Sequence, residues 1–348
     1  MPTIQHSSLE ALARDIFRAI GVPDDGAAWM ATLLVRANLR GHDSHGVIRV
    51  PQYVAAWRKG EADPKAQPAT IQEGPATALL DGKKGFGQIV ARRGMEVAMA
   101  KAAAIGVAAV GICNCNHIGR LADYTEMAQE RDLLALLTVN AGGAGQRMAP
   151  WGGRAGRLST NPIAFASPTG GAPISFDIAT TVAAEGKVRV KRNRKEALPP
   201  GWCLDAEGKP TTDPNALYGP PAGSILPVGG HKGYALALMI EILSGILARG
   251  GYSRENPGPV MNGVFMAVVD IARFVPAATF RRESDDLIRY VKSSPSIVEG
   301  QPILVPGEPE AATEAARRQS GIFVEEETWA QIRQAAQELG VRVQPMIN

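Results

Sequence analysis

Residues 107–139 have the sequence VAAVGICNCNHIGRLADYTEMAQERDLLALLTV, and this stretch decides the fold class of the chain. Val107–Cys113 and Leu133–Val139 are short, nearly continuous apolar runs, which are typical of strands buried on both faces of a sheet. The more polar segment between them, Gly119–Arg131, predicts a helix. A strand, a helix and a second strand joined by short connections predict a parallel βαβ unit and hence an α/β protein.

The segments on either side extend this pattern into a larger sheet. Upstream, we expect a strand at Ala76–Leu80 and a long helix at Gly87–Ile105 that ends at Gly106. Downstream, the glycine-rich stretch Asn140–Asn161 separates the unit from further predicted elements. These are strands at Ile163–Ala166, Ile174–Ile178 and Asn262–Val269, and helices at His231–Ala248 and Phe280–Lys292. We therefore predict an α/β core at residues 76–309, with a mixed sheet flanked by helices.

The first sixty residues have helical periodicity. Ser7 and Glu10 form a capping-box pattern, and Asp24 or Asp25 could cap a second helix. We predict that residues 1–75 form a helical lobe, joined by C-terminal helices within residues 310–348. Lys187–Pro221 is polar and rich in turn residues, so we expect a solvated strand or loop there.

Composition excludes several classes of protein. The chain has 348 residues, 45% of them hydrophobic and 20% charged, and a net charge of +3, which is too small to indicate a nucleic-acid or membrane-surface partner. Three cysteines are too few for a disulfide framework. The N-terminus lacks a signal-peptide pattern, and the longest apolar run, Tyr234–Ile240, is shorter than a membrane span. We expect a soluble cytoplasmic protein.

Two standard nucleotide-binding motifs are missing. The chain contains no G-x-G-x-x-G, so a Rossmann fingerprint is absent, and no phosphate-binding G-x-x-x-x-G-K-[ST] loop occurs. Cys113-x-Cys115-x-His117 suggests a metal site, but its spacing is poor for structural zinc. We favour buried thiols at a strand end and no metal, with His117 at the sheet edge where α/β proteins bind ligands.

Two basic segments allow a cofactor interpretation. The run from Lys187 to Lys195 is more simply a solvated face, although it could meet a cofactor phosphate. His231-Lys232 opens the most apolar helix, where unpaired amides and the helix dipole favour anions. A plain helix start with a charged first turn explains these two residues equally well. On a proline-glycine turn, Glu308 could hold ribose hydroxyls.

The segment Gly41–Arg49, GHDSHGVIR, concentrates polar chemistry between two predicted helices. Arg49 can bind a carboxylate through two parallel hydrogen bonds. His45 can give or take the proton when a carbonyl becomes an alcohol, and Ser44 can orient the ring. We therefore predict a functional site in this segment.

Seven motifs occur in an order that resembles the malate/L-lactate dehydrogenase family of the second type. They are RGHDSHGVIRVPQY (40–53), CNCNHIGR (113–120), STNPIAFASP (159–168), FDIATT (176–181) with EGK (185–187), PPGWCLD (199–205), GGHKGYALALMIEIL (229–243) and ILVPGEPE (303–310). The family also includes ureidoglycolate and sulfolactate dehydrogenases and cyclic-imine carboxylate reductases. The chain is most similar to the bacterial hydroxycarboxylate dehydrogenase branch.

The resemblance implies an NAD(P)-binding fold unrelated to the Rossmann fold, a homodimer, and a set of site residues. His45 would be the proton donor steadied by Ser44, with His117 as the alternative acid or base, and Arg49 would bind the substrate carboxylate together with Thr160. The implied cofactor-binding residues are His117, Ile118, Gly119, Asp177, Ala179, Thr180, Lys187, His231, Lys232, Gly307 and Glu308. Cys115 stands where many relatives have serine, so a role of that hydroxyl is not expected here.

The predicted function is an NAD- or NADP-dependent oxidoreductase that interconverts a 2-oxo acid and a 2-hydroxy acid. Three alternatives stay open: a cyclic-imine carboxylate reductase, a ureidoglycolate or sulfolactate dehydrogenase, and a non-catalytic dinucleotide-binding protein. Lys187 speaks against a cyclic imine, because imine reductases place an aspartate nearby. Beyond the substrate, the cofactor and a second copy of the chain, we expect no nucleic-acid or membrane partner.

Overall fold

The structure is a computed structural model that describes residues 3–343. The helices are α1 His6–Ala19, α2 Asp24–Leu39, α3 Arg49–Arg58, α4 Gly87–Ile105, α5 Ala122–Gln129, α6 Glu185–Asn193, α7 His231–Ile240, α8 Ala277–Lys292, α9 Glu308–Ser320 and α10 Glu326–Glu338. The strands are β1 Thr3–Ile4, β2 Ala69–Glu73, β3 Thr77–Asp81, β4 Val107–Cys115, β5 Leu133–Asn140, β6 Ile163–Ser167, β7 Ile174–Ile178, β8 Cys203–Leu204, β9 Pro210–Thr211, β10 Ser224–Ile225, β11 Asn262–Asp270 and β12 Ile322–Phe323.

Seven strands form the central sheet, in the order β2-β3-β4-β11-β5-β6-β7. β3 and β4 are parallel neighbours connected by α4, as a βαβ unit requires. The predicted pairing of β4 with β5 is different, because β11 lies between them and is antiparallel to both. The sheet is therefore mixed, which confirms the predicted mixed α/β fold class.

One face of this sheet packs on α4 and α5. Alternate residues of β4, among them Val110 and Ile112, point into this core and are fully buried. Each such aliphatic side chain contributes about 2 kcal/mol through burial. Asn114 has a positive φ of 50°, and the strict alternation of β4 ends there. Cys115 consequently joins the core face with Ile112.

The helices α1, α2 and α3 pack with α10 around a second apolar core. The predicted helix starts differ in detail from those observed. Gln5 precedes α1 and makes no side-chain cap, while Glu10 accepts a hydrogen bond from Thr32. The capping-box prediction is therefore wrong. Asp24 and Asp25 lie inside the first turn of α2, where their charges favour the helix dipole without capping it.

The division into a lobe at 1–75 with residues 310–348 and a core at 76–309 stays a prediction. The two apolar cores support it, but β2, inside the range 1–75, pairs with the sheet. Residues 344–348 lie outside the described part of the chain. A small third core surrounds Val188 of α6, so the basic run is helical and the loop prediction is wrong there.

Two helices expose apolar side chains. α7 continues through a π-helical segment at Glu241–Leu247, and Ile242, Ile246 and Leu247 are at least half exposed. α8 has no buried residue, and its Leu287 and Tyr290 are 58% and 78% exposed. None of the helices in residues 3–343 combines the length and apolar character that a membrane crossing needs.

Candidate active site

The polar segment Gly41–Arg49 forms the turn between α2 and α3, with one short 3-10 turn at Asp43–His45. Asn38 holds this turn together, because its Nδ2 donates to Asp43 Oδ1 at 2.7 Å and its Oδ1 accepts from the Val47 amide at 2.8 Å. A Cβ atom on Gly46 would lie 2.1 Å from Asn38 Oδ1. Only glycine fits at this position, which explains the second glycine of the motif.

Ser44, His45 and Arg49 are linked to one another within the turn. Ser44 Oγ lies 3.0 Å from His45 Nδ1, so the hydroxyl orients the imidazole. Arg49 Nε donates to the Ser44 carbonyl at 2.7 Å, and its Nη1 donates to Gln52 Oε1 at 2.6 Å. These two bonds fix the guanidinium and leave Nη2 and one Nη1 proton for a planar anion such as a carboxylate.

His117 follows the end of β4 and meets this turn. The rings of His45 and His117 are stacked, with centroids 5.5 Å apart and planes inclined by 24°. His117 Nδ1 is hydrogen-bonded to the Tyr53 hydroxyl at 2.8 Å. A Cβ on Gly87 would lie 2.3 Å from the His117 carbonyl oxygen, so the start of α4 packs directly on this backbone.

Both histidines are held in their neutral forms. Burial and the positive charge of Arg49 lower the pKa of His45 to about 3. The same two causes lower the pKa of His117 well below its usual range. A substrate carboxylate on Arg49 would offset the guanidinium charge and make protonation of either ring less costly.

Asp177 is the second-last residue of β7. Its Oδ2 accepts hydrogen bonds from the amides of Leu121 and Ala122, at 2.6 and 3.2 Å, and so caps the start of α5. Burial raises its pKa to about 6, although Arg120 and the two amides favour the carboxylate. Asp177 was predicted to line the cofactor, and the contacts observed here are with the protein.

Thr160, Thr180, His231 and Lys232 form a second group. The backbone amide and hydroxyl of Thr180 both donate to the Thr160 carbonyl at 3.0 Å. A Cβ on Gly233, at the start of α7, would lie 2.6 Å from the Thr180 carbonyl oxygen, so the helix N-terminus adjoins this group. The amides of Lys232 and Gly233 donate to preceding loop carbonyls, which leaves the exposed His231 and Lys232 side chains for an anion.

Two other predicted cofactor residues, Ile118 and Glu308, already have protein partners. The Ile118 amide donates to Asn262 Oδ1 at 3.0 Å, and Ile118 and Gly119 are buried. The Glu308 carboxylate pairs with Lys292 and accepts from the Val305 amide at 2.9 Å. A ribose could reach Glu308 only in exchange for these contacts.

Of the remaining predicted cofactor residues, Lys187 is exposed and Gly307 and Ala179 are partly exposed. Gly307 packs on the start of β7, since a Cβ there would lie 3.2 Å from the Pro173 carbonyl oxygen. Lys187 is exposed in the first turn of α6 and helps, after burial and Arg120, to lower the pKa of His42. The preceding Gly186 packs on Ser44, since a Cβ there would lie 3.3 Å from the Ser44 Cβ. Ala179, between Asp177 and this segment, is partly exposed.

The three cysteines are buried and free. Cys115 donates to the Asn116 carbonyl at 3.2 Å, and burial raises the pKa of its thiol, so it does not replace a serine hydroxyl in the cleft. Within residues 3–343, no group of three or more His, Cys, Asp or Glu side chains is arranged to hold a metal ion.

Comparison with known proteins gives a consistent result. The sequence profile of the malate/L-lactate dehydrogenases matches residues 4–333. The chain belongs to the malate/L-lactate dehydrogenase family. The L-sulfolactate dehydrogenase of Methanocaldococcus jannaschii is 36% identical to this family member over 341 residues, 96% of each chain. Hydroxycarboxylate dehydrogenase B of Escherichia coli is 34% identical over 340 residues, 96% of this chain and 93% of that one.

Solved structures of this malate/L-lactate dehydrogenase family have the same fold. A sulfolactate dehydrogenase from Methanocaldococcus jannaschii superposes with a TM-score of 0.88 at 35% identity, covering 98% of both chains. A Δ1-piperideine-2-carboxylate reductase from Pseudomonas syringae pvar. tomato superposes with a TM-score of 0.85 at 30% identity, covering 97% of this chain and 100% of that one. Membership confirms the predicted activity class, an oxidoreductase acting on 2-hydroxy acids, and family members use nicotinamide cofactors.

Sequence reasoning missed four residues that build the site: Asn38, Tyr53, Gln88 and Arg317. Arg317 of α9 donates from Nη1 and Nη2 to the two Asp43 carboxylate oxygens, at 2.7 and 3.1 Å. Tyr53 has the spacing of an apolar core residue in a helix, and nothing in the sequence connects Gln88 or Arg317 with the turn. The one usable signal was Tyr53 at the end of the RGHDSHGVIRVPQY motif.

Proposed function

We propose that this protein is an NAD(P)-dependent oxidoreductase that interconverts a 2-oxo acid and the corresponding 2-hydroxy acid. The observation that supports it best is that the His45 and His117 rings stack beside the turn in which Arg49 is hydrogen-bonded to the Ser44 carbonyl. An arginine with a free pair of donors suits the carboxylate beside the reacting carbon. A histidine next to it suits the oxygen that gains or loses a proton.

The chain's own residues would bind and orient the substrate. Arg49 would hold the carboxylate, with Thr160 as a further predicted contact, and so place the substrate oxygen against the histidines. His45, oriented by Ser44, would donate the proton in reduction and take it back in oxidation; His117 is the alternative. A bound nicotinamide supplies the hydride to the carbon, or accepts it in the reverse direction.

The residues present fit a dinucleotide. His231 and Lys232 are exposed at the start of α7, so the positive charge of Lys232 is available for a phosphate. Ala179, Thr180 and Lys187 would line the path from that helix to Ser44. The other predicted contacts would act mainly indirectly, by holding the backbone next to this path in place. They are Ile118, Gly119, Asp177, Gly307 and Glu308.

A substrate panel tests the proposal. Purified protein is mixed with NADH or NADPH and with pyruvate, oxaloacetate, sulfopyruvate or a cyclic imine carboxylate, and nicotinamide absorbance is followed. We expect turnover of at least one 2-oxo acid, and a kcat about a hundredfold lower for His45→Ala. Cofactor binding without turnover of any compound would support the non-catalytic alternative instead.

Reduction of a cyclic imine carboxylate is the second candidate, favoured by the likeness to the piperideine-2-carboxylate reductase. It would use the same arginine–carboxylate contact. Lys187, which stands near the aspartate position of such reductases, speaks against it. A higher kcat/KM for the cyclic imine carboxylate than for every 2-oxo acid in the panel would favour this second candidate.

We also propose a homodimer in the cytoplasm. The apolar side chains of α8, which packs against little of its own chain, support burial against a second copy. Tyr290→Asp should then produce monomers in light scattering with size-exclusion chromatography, and an unchanged mass would contradict the α8 interface. Three free, buried cysteines suit a reducing compartment.

A further inference from the structure

A polar chain, Gln88–Tyr53–His117, runs through an apolar part of the protein behind the candidate active site. The Tyr53 hydroxyl lies 2.8 Å from His117 Nδ1, and Gln88 Nε2 donates to the same hydroxyl at 2.7 Å. Tyr53 is 4% exposed and Gln88 is fully buried. The rings of Phe17 and Phe86 pack on the tyrosine, with centroids 6.4 and 6.0 Å away, and hold it in place.

The donors and acceptors in the hydrogen-bonded series Gln88–Tyr53–His117 indicate which ring nitrogen of His117 carries the proton. Gln88 turns its NH₂ towards the Tyr53 oxygen, while its Oε1 is buried without a hydrogen-bond partner. In this orientation the Tyr53 oxygen accepts from Gln88, because an amide NH₂ only donates. The single hydroxyl proton is then available for His117 Nδ1, which can accept it only if this nitrogen carries no proton. Because Nδ1 is the acceptor that the described residues offer to this buried hydroxyl proton, the arrangement favours the neutral imidazole that carries its own proton on Nε2.

We propose that Tyr53 and Gln88 are positioning residues that hold His117 as the Nε2–H tautomer throughout the reaction. The inference rests on the proposed function and divides the work of the two histidines. His117 would donate a hydrogen bond to the substrate oxygen and keep its proton. The proton that the oxygen gains in reduction would come from His45, which would take it up from solvent once the substrate carboxylate offsets the charge of Arg49, and would be neutral again after donating it.

The surroundings of His117 support this division. The other titratable groups that face it are Arg49 and His45. Neither is an anion, so among the described residues no protein group that faces the ring stabilises an imidazolium. Protonation of Nδ1 would also turn two donors, the Tyr53 hydroxyl and the new N–H, towards each other. His45 has no such obstacle, because the hydroxyl of Ser44 at its Nδ1 can donate or accept.

The direction of the hydrogen bonds from Gln88 through Tyr53 to His117 can be reversed by a substitution that keeps the shape of the side chain. In Gln88→Glu, a carboxylate would accept the Tyr53 proton, and the tyrosine oxygen would then accept from Nδ1–H of His117. The tautomer should switch to Nδ1–H. In Tyr53→Phe the constraint is lost, and both tautomers should be populated. Tyr124→Phe is the matched control, because it removes another buried hydroxyl, which donates to the Ile118 carbonyl and makes no hydrogen bond to a histidine within the described residues.

Nitrogen NMR of the full-length protein labelled with ¹⁵N-histidine measures the tautomer directly, because protonated and unprotonated ring nitrogens have well-separated signals. The spectrum of His117→Gln identifies the His117 pair. We expect a protonated Nε2 in the wild type and in Tyr124→Phe, and a protonated Nδ1 in Gln88→Glu. A protonated Nδ1 in the wild type, or an unchanged tautomer in Gln88→Glu, would overturn the proposal.

Kinetics provide the second measurement. Tyr53→Phe should lower kcat about tenfold, the cost of one misplaced hydrogen bond, and leave KM nearly unchanged because Arg49 still binds the carboxylate. A KM that rises as much as kcat falls would indicate a purely structural role and contradict the proposal. The NMR experiment needs no turnover, so its result is independent of the substrate panel that tests the proposed function.

Discussion

Replacing Arg49 by lysine keeps the positive charge and removes the planar pair of donors. In the structure Nε is bonded to the Ser44 carbonyl and Nη1 to Gln52, so the guanidinium can hold the turn and a carboxylate at once. A lysine has one nitrogen and must give up either contact. The loss is about one charge-assisted hydrogen bond, on the order of 1.5–3 kcal/mol, which corresponds to an increase in KM of about ten- to a hundredfold.

The assay is the initial rate at saturating cofactor and varied 2-oxo acid. The matched control is Arg58→Lys, on the same helix, where the arginine makes a surface ion pair with Glu338 at 2.6 Å. The control should keep the wild-type KM, while Arg49→Lys should raise it with a smaller loss in kcat. A KM for Arg49→Lys within twofold of the wild type would refute the assignment of Arg49 to the substrate carboxylate.

Three further substitutions test the contacts and the burial that hold the site residues in place. Arg317→Ala removes the two hydrogen bonds to the half-exposed Asp43 carboxylate, and should cost about 1 kcal/mol of stability in urea unfolding and lower kcat; an unchanged kcat would show that this clamp does not position the turn. Burial lowers the pKa of His45 from 6.5 to about 3, so the unfolded chain binds the extra proton between these values. Stability should fall as the pH drops through that window, by up to about 1.4 kcal/mol per pH unit, and His45→Asn should flatten the decline between pH 7 and 5. Gly87→Ala pushes against the His117 carbonyl, and should destabilise the protein by about 1–3 kcal/mol with a loss of kcat, whereas wild-type values for both would contradict the close packing.

Most individual helices and strands were predicted well, because the apolar spacing that specifies each of them lies within its own segment of the sequence. The helix at Gly87–Ile105 has the predicted bounds, and the strands on either side follow from apolar runs. The position of β11 could not be predicted from such patterns, since a fully buried strand looks the same wherever it pairs. The solvated strand or loop predicted for the basic run from Lys187 is wrong, because the buried Val188 fixes the helix α6 among otherwise polar neighbours.

The candidate site was predictable where chemistry is concentrated in one segment. Ser44, His45 and Arg49 lie within six positions. The ring of His117, which was predicted at the ligand-binding edge of the sheet, stacks on that of His45. Residues that act through others were not predictable. Tyr53 has the spacing of a core residue, and Gln88 is 35 positions away from it, so only the folded chain shows that they meet.

The place of β11 also determines when the site can form during synthesis. Asn140 at the end of β5 and Asn262 at the start of β11 are bonded across a separation of 122 residues, a long-range contact of the kind that slows folding. A nascent chain that ends before Asn262 has a gap between β4 and β5, and the Ile118 amide beside His117 lacks its acceptor. The histidine that the chain encodes early is thus anchored only after the last strand of the sheet arrives, and a truncated product would have no assembled site.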